Sequence, residues 1–178
     1  NVCGEWFVSA TRAGTMVHAR LGAGEENSGK LVAQVRQKAR EIGEKERRDW
    51  VIIDGPPGTG CPVMASLSGV SGVLLVTEPT CSGLHDAGRV IDLAAHFKVP
   101  VMLVVNKWDI NSDVARQIEM FCGERGVPSA GRIPFDRSVV EAVVEGRTVV
   151  ERGSEDVRRA VQGIWERVRG NCSERGPL

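Results

Sequence analysis

Trp50-Val51-Ile52-Ile53-Asp54-Gly55-Pro56-Pro57-Gly58-Thr59-Gly60 joins a short apolar, β-branched run to an acidic residue and a sharp Gly/Pro turn. A run of that kind suits a strand buried on both faces of a parallel sheet. In open α/β sheets the carboxyl ends of the strands face the ligand crevice. Asp54 is therefore expected where a carboxylate holds Mg²⁺, directly or through water, beside the phosphates of a nucleotide. The Gly55–Gly60 turn offers a backbone that comes close to a terminal phosphate, since glycine tolerates dihedrals other residues avoid. The plainer alternative is an ordinary strand ending in an Asp-Gly turn; the apolar run and the double proline argue against it.

Working outward, the same pattern recurs downstream. Val73-Leu74-Leu75-Val76-Thr77 reads as a second buried strand and ends in Glu78-Pro79-Thr80. Val101 to Val105, entered through Pro100, reads as a third and runs into Asn106-Lys107-Trp108-Asp109. An amide and a carboxylate three positions apart at a strand end suit hydrogen bonding to a purine edge, with the aliphatic stem of Lys107 covering the ring. This N-K-x-D spacing is the guanine-reading signature of GTP-binding domains, and a fortuitous turn is its alternative. Gly126-Val127-Pro128 leads to a last short strand ending at Arg132-Ile133-Pro134-Phe135-Asp136.

Helices are expected between the strands. Cys61-Pro62 opens a short one carrying Val63, Met64 and Leu67, with proline suited to the first turn. Ser82 to Lys98 places Leu84, Val90, Ile91 and Ala94 inward; His85 and Asp86 stand at its start, where neighbouring positions do not face each other. Val114, Ile118 and Phe121 mark the next helix and Ser138 to Glu145 a short one. Ser154-Glu155-Asp156 caps a terminal helix with Val157, Val161, Ile164, Trp165 and Val168 on one face. The expected fold class is α/β, a doubly wound, mostly parallel sheet with flanking helices. One domain is expected over residues 1–170, an incomplete P-loop NTPase domain, with a disordered tail over 171–178.

The start of the chain reads differently. Glu5-Trp6-Phe7-Val8-Ser9 suggests a strand, Arg12-Ala13-Gly14 a turn, and Met16 to Leu21 a second strand. Gly24-Glu25-Glu26-Asn27-Ser28-Gly29-Lys30 then matches G-x-x-x-x-G-K, the body of a phosphate-binding loop. Leu31 follows where Ser or Thr should offer Mg²⁺ a hydroxyl. Two acids also sit inside the loop, where each like-charge contact with a triphosphate costs about 4 kcal/mol. The segment is better read as the opening of a helix capped by Asn27 or Ser28, with Leu31, Val32, Val35, Ala39 and Ile42 as its apolar stripe. Lys30 still stands at the edge of the expected site. The charged run Glu41 to Asp49 is its solvated end and a loop.

Composition narrows the function classes. The 178 residues carry 42% hydrophobic and 26% charged side chains and a formal net charge of +0. These values are those of a globular protein with its own core and do not suggest an electrostatic nucleic-acid binder. No apolar run approaches a membrane span, and no signal peptide pattern opens the chain, so a cytoplasmic location is the default expectation. The five cysteines, Cys3, Cys61, Cys81, Cys122 and Cys172, form no C-x-x-C pair. That argues against a disulfide scaffold, a zinc ribbon and a self-contained ferredoxin cluster site.

The motifs D-G-P-P-G, E-P-T, N-K-x-D and I-P-x-D, taken in this order with Gly24 to Val32, resemble the MinD/ParA-type P-loop ATPases. The likeness is closest to the subgroup with a ferredoxin domain inserted after the phosphate loop. The resemblance implies roles for particular residues. Asp54 acts on Mg²⁺, and Gly55, Pro56, Pro57 and Gly58 sense the γ-phosphate. Glu78 and Lys107 stand at the site, Asn106 and Asp109 lie against the base, and Ile133-Pro134 close its other side. It also implies ATP, with GTP open because the N-K-x-D is complete, together with homodimerisation and an iron–sulfur or redox protein partner. A 4Fe-4S cluster belongs to the full protein and is not bound by this chain alone. The family's K-G-G-x-G-K-[ST] loop on the central strand and its ferredoxin cysteines have no counterpart in this sequence. The chain is therefore expected to be the C-terminal part of such a protein, a weak nucleotide binder without turnover. A non-catalytic α/β interaction module, or a GTP-binding protein using the N-K-x-D motif, is the alternative. Cys61 and Cys81 are expected to be buried free thiols, with a bridging cluster as the other reading.

Overall fold

The computed structural model describes residues 4–21, 29–56, 58 and 60–173, with 172 and 173 described by backbone alone. The chain divides into two compact units, Asn1–Val70 and Ser71–Leu178.

The first unit opens with a hairpin formed by the two strands and the turn that the sequence suggests. Strand β1 (Gly4–Thr11) pairs antiparallel with β2 (Gly14–Leu21), Val8 opposite Val17. The Thr11 hydroxyl closes the turn by donating to the Gly14 carbonyl at 2.7 Å. Helix α1 (Gly29–Lys45) keeps its expected stripe half-buried and packs on β2 and on helix α2 (Cys61–Leu67). Arg36 fastens α1 to α2: its guanidinium donates to the carbonyls of Ala65 and Ser68. The capping residues proposed for α1, and the Gly24–Ser28 part of the loop-like motif, lie outside the described residues.

Residues 51–56 depart from expectation. They form no strand, and the described residues of this unit offer them no strand partner. Val51 leans on α1, where a Cβ on Gly43 would stand 3.0 Å from its Cγ2. Ile52 is 80% exposed, far from the double burial anticipated. A strand is stabilised by the ladder beside it, because each extended residue presents an N–H and a C=O that must be paired. An apolar run without that ladder stays irregular.

The second unit is the doubly wound part. Strands β3 (Val73–Thr77), β4 (Val101–Asn106) and β5 (Ser129–Ile133) form a parallel sheet in the order β3-β4-β5. Helix α3 (Cys81–His96) and helix α4 (Ser112–Glu124) pack over one face, burying Ile91, Ala94, Ala115, Ile118 and Cys122 against Val101, Leu103 and Val105. Helix α7 (Glu155–Ser173) covers the other face with Ile164 and Val168 on Val104 and Ala130. Between them lie α5 (Arg137–Val144) and α6 (Val149–Arg152), the latter not anticipated. Gly131 permits the close approach of β5 to α7: its φ is +144°, and a Cβ there would meet Ile164 at 2.9 Å. Strand β3 is an edge, and Leu74 and Val76 are exposed instead of buried on both faces. Residues 171–173, expected in a tail, continue α7. Ile164 and Val168 anchor the helix, which runs on for more than a turn beyond them.

Candidate functional site

Parallel pairing brings the polar ends of three strands to one rim. Thr77 lies opposite Val105, and Asn106 lies opposite Ile133. Glu78, Asn106 and Ile133-Pro134 therefore follow one another across the carboxyl edge of the sheet.

The β3 end is tightly built. Thr77 is buried and its hydroxyl donates to the Gly83 carbonyl at 3.1 Å. Thr80 caps α3, accepting from the Gly83 N–H at 2.9 Å. A side chain at Gly83 would stand 2.4 Å from the Glu78 carbonyl oxygen, so the E-P-T turn closes over that helix only with glycine in its first turn. Glu78 reaches sideways to the next strand end, 2.7 Å from the Lys107 ammonium.

At the β4 end the chain reverses in a left-handed residue, Lys107 (φ +53°), and continues as a short 3₁₀ turn, Trp108–Ile110. Trp108 packs against the core below the rim. Above its ring lies the Arg132 guanidinium, 5.1 Å from the centroid. Arg132 also forks onto the Glu119 carboxylate at 2.6 and 2.5 Å. That pairing raises the Arg132 pKa above its ordinary value, chiefly through the hydrogen bond to Glu119. Asp109 accepts from the backbone N–H of Phe135 at 2.7 Å, tying the 3₁₀ turn to the segment after β5. Asn106, at the strand end, is half-buried.

The β5 end is held by Asp136. One carboxylate oxygen accepts from the Ser138 N–H at 2.7 Å and caps α5. The other accepts from the Ser154 hydroxyl at 2.6 Å. The Ser154 hydroxyl, followed by the Ser138 donors, holds this carboxyl below the usual carboxylate range.

The remaining sequence-derived site residues belong to the other compact unit. Lys30 is exposed in the first turn of α1. Asp54 and Gly55 are exposed, Pro56 is half-buried, and Gly58 turns the chain at φ +87°. Pro57 lies outside the described residues. An exposed carboxylate followed by a glycine turn suits a hydrated Mg²⁺ bound through water, and a Cβ on Gly58 would meet nothing within 4 Å.

Other polar features read differently once placed. His85 and Asp86 do touch, Nδ1 to Oδ1 at 3.4 Å, but both side chains are exposed, where such a pair has little worth. Cys61 and Cys81 are exposed, contrary to the burial expected, because each stands at the first position of a helix end. Cys122 is the buried thiol, and burial pushes its pKa up. No group of three or more His, Cys, Asp or Glu side chains converges among the described residues. None of the described helices is long and apolar enough to cross a membrane.

Sequence reasoning missed the Trp108–Arg132–Glu119 stack, because no spacing rule links residues on three different elements. The Asp136–Ser138 cap had a readable signal, an aspartate two residues before a serine at a helix start.

Residues 29–169 match the ParA family, described as the NUBPL iron-transfer P-loop NTPase. The chain is 27% identical over 154 residues to an uncharacterized protein of Methanocaldococcus jannaschii, covering 86% of this chain and 50% of that protein. It is 31% identical over 140 residues to the iron-sulfur cluster carrier protein of Deinococcus radiodurans, covering 71% of this chain and 39% of that protein. The chain spans about half the length of the curated relatives it matches first. Among solved structures, the MinD cell division protein of Aquifex aeolicus superposes with a TM-score of 0.65 at 20% identity, over 80% of this chain and 61% of that one. The septum site-determining protein MinD of Pyrococcus horikoshii, solved with Mg-ADP, gives 0.63 at 20% identity, over 79% and 56%. These likenesses show the fold: an α/β P-loop NTPase architecture.

Proposed function

The chain belongs to the ParA family of iron-transfer P-loop NTPases, and on that premise we propose that it is the base-binding and switch-bearing portion of an ATPase that handles iron–sulfur clusters. The observation that carries this reading is the rim itself, where Glu78, Lys107, Asn106 and Ile133-Pro134 gather at the carboxyl ends of adjacent parallel strands. That is the place at which an open α/β sheet receives a ligand. In this reading Asn106 offers an amide to a purine edge and Ile133-Pro134 supply an apolar wall. Asp54 holds Mg²⁺ through water, and the glycines at 55 and 58 let the backbone follow a γ-phosphate. Order in that turn while nucleotide is bound, and its loss on hydrolysis, make the switch. The iron–sulfur link is proposed for the whole protein from its relatives' names; a homodimeric assembly and a redox partner are proposed from the family resemblance of its motifs.

We further propose that these residues by themselves bind nucleotide weakly and do not turn it over. The irregular backbone of residues 51–53, which joins no sheet among the described residues, supports this, since a carboxylate that follows no strand is poorly preorganised. The test is titration of the chain with fluorescent ATP and GTP analogues, with and without Mg²⁺, alongside Asp54→Ala. Binding that Mg²⁺ strengthens, and that Asp54→Ala makes insensitive to Mg²⁺, is the expected result. Equal binding with and without the metal in both proteins overturns the role of Asp54, and brisk hydrolysis by the chain alone overturns the proposed inactivity.

A further inference from the structure

We propose that Asp109 is a positioning residue: its carboxylate clamps the Ile133–Phe135 segment that walls the base, and it does not read guanine. The proposal rests on the nucleotide reading above and narrows it. A carboxylate that selects guanine must turn toward two adjacent ring-edge donors and meet them with both oxygens. Here one Asp109 oxygen instead accepts the Phe135 N–H at 2.7 Å, the short distance of a charge-assisted bond. The partner is telling. Strand β5 ends at Ile133, and Pro134 has no N–H, so Phe135 offers the first backbone donor after the sheet. Asp109 supplies the acceptor for that donor and so helps to fix the course of the segment there.

The carboxylate is exposed, but the turn that carries it is anchored. Trp108, its neighbour in the 3₁₀ turn, is packed on the core and covered by Arg132, which Glu119 holds in a two-toothed grip. Lys107, on the other side, points its ammonium at Glu78 instead of lying free to span a ring. The N-K-x-D sequence is thus present while two of its members are engaged in building the rim. Selection between purines falls to Asn106 and the backbone groups of the 133–135 segment. Asp109 then affects ATP and GTP alike, through the wall it holds.

The variants Asp109→Asn and Asp109→Ala separate the two roles, because asparagine keeps an acceptor oxygen and alanine does not. Two readouts are taken on the full chain: deuterium exchange of the Phe135 amide without nucleotide, and Kd for fluorescent ATP and GTP analogues with Mg²⁺. Asp109→Asn is expected to leave Phe135 protected and the ATP:GTP ratio within about twofold. Asp109→Ala is expected to speed Phe135 exchange about tenfold or more and to weaken both nucleotides by a common factor. A tenfold change in the ATP:GTP ratio in Asp109→Asn, or Phe135 exchange untouched in Asp109→Ala, overturns the proposal. If the unaltered chain binds neither nucleotide, the nucleotide reading falls; the exchange result still decides the clamp.

Discussion

Leu103 and Ile52 each sit in the middle of a short aliphatic run that ends in a polar turn, yet Leu103 is wholly buried and Ile52 is 80% exposed. The difference lies in what stands beside each run. Strand β4 has β3 on one side and β5 on the other, α3 and α4 above and α7 below. It is paired on both edges, and both faces are covered. The 51–53 run has α1 against Val51 and no ladder. Apolar content therefore selects which segments are able to become interior strands, and neighbours decide which of them do.

The sharpest way to break this contrast is to truncate both residues. Leu103→Ala should cost about 3 kcal/mol, the usual range for a fully buried leucine being about 2–5, read as a drop in the urea midpoint. Next in size is Gly83→Ala. A Cβ 2.4 Å from the Glu78 carbonyl forces the E-P-T turn off α3, at a cost of about 1–3 kcal/mol, with a lowered melting temperature as the readout. If the loss is negligible, the rim is softer than its packing indicates. Glu119→Gln, which removes the charge facing Arg132, should cost about 1 kcal/mol, since both partners are partly exposed and solvent screens them. The loss of the Arg132 fork should also loosen the Trp108 turn, seen as a change in tryptophan fluorescence.

A smaller effect is a pH dependence that belongs to the rim. Asp136 has a folded-state pKa below its ordinary value because Ser154 and Ser138 donate to the carboxylate. Its contribution is complete above the unfolded value, about pH 4, and is lost as pH falls through the lower folded value. Acid unfolding of Asp136→Asn should show a shallower decline over that window than the unaltered chain; identical acid limbs would remove the assignment. Smallest of all, Ile52→Ser should change stability by less than about 0.5 kcal/mol. A loss approaching that of Leu103→Ala would mean that the run is an interior strand in solution, and the contrast would disappear.

Much of the second unit was legible beforehand. Thr80, Asn111 and Asp136 are capping residues at the starts of α3, α4 and α5, and the strands before them are aliphatic and short. The two strands and the turn of the hairpin were suggested by the sequence, though not their pairing. What could not be read was pairing. Ile52 looks like Leu103 until its neighbours are known, and Leu74 looks as buried as Leu75 until β3 proves to be an edge. The candidate site was legible to the same extent. The rim residues Glu78, Asn106, Lys107 and Asp109 were all identified from the sequence. The tie of Asp109 to Phe135, and the Glu78–Lys107 pair, depend on partners many residues distant.

The edge of β3 has a practical consequence. Among the described strands, one row of its main-chain groups has no ladder, and Leu74 and Val76 are exposed, with no lysine or proline in the strand to blunt the approach of another chain. In a test tube this is a sticky margin. Concentrated samples should self-associate through added β-structure, and dilution should reverse it.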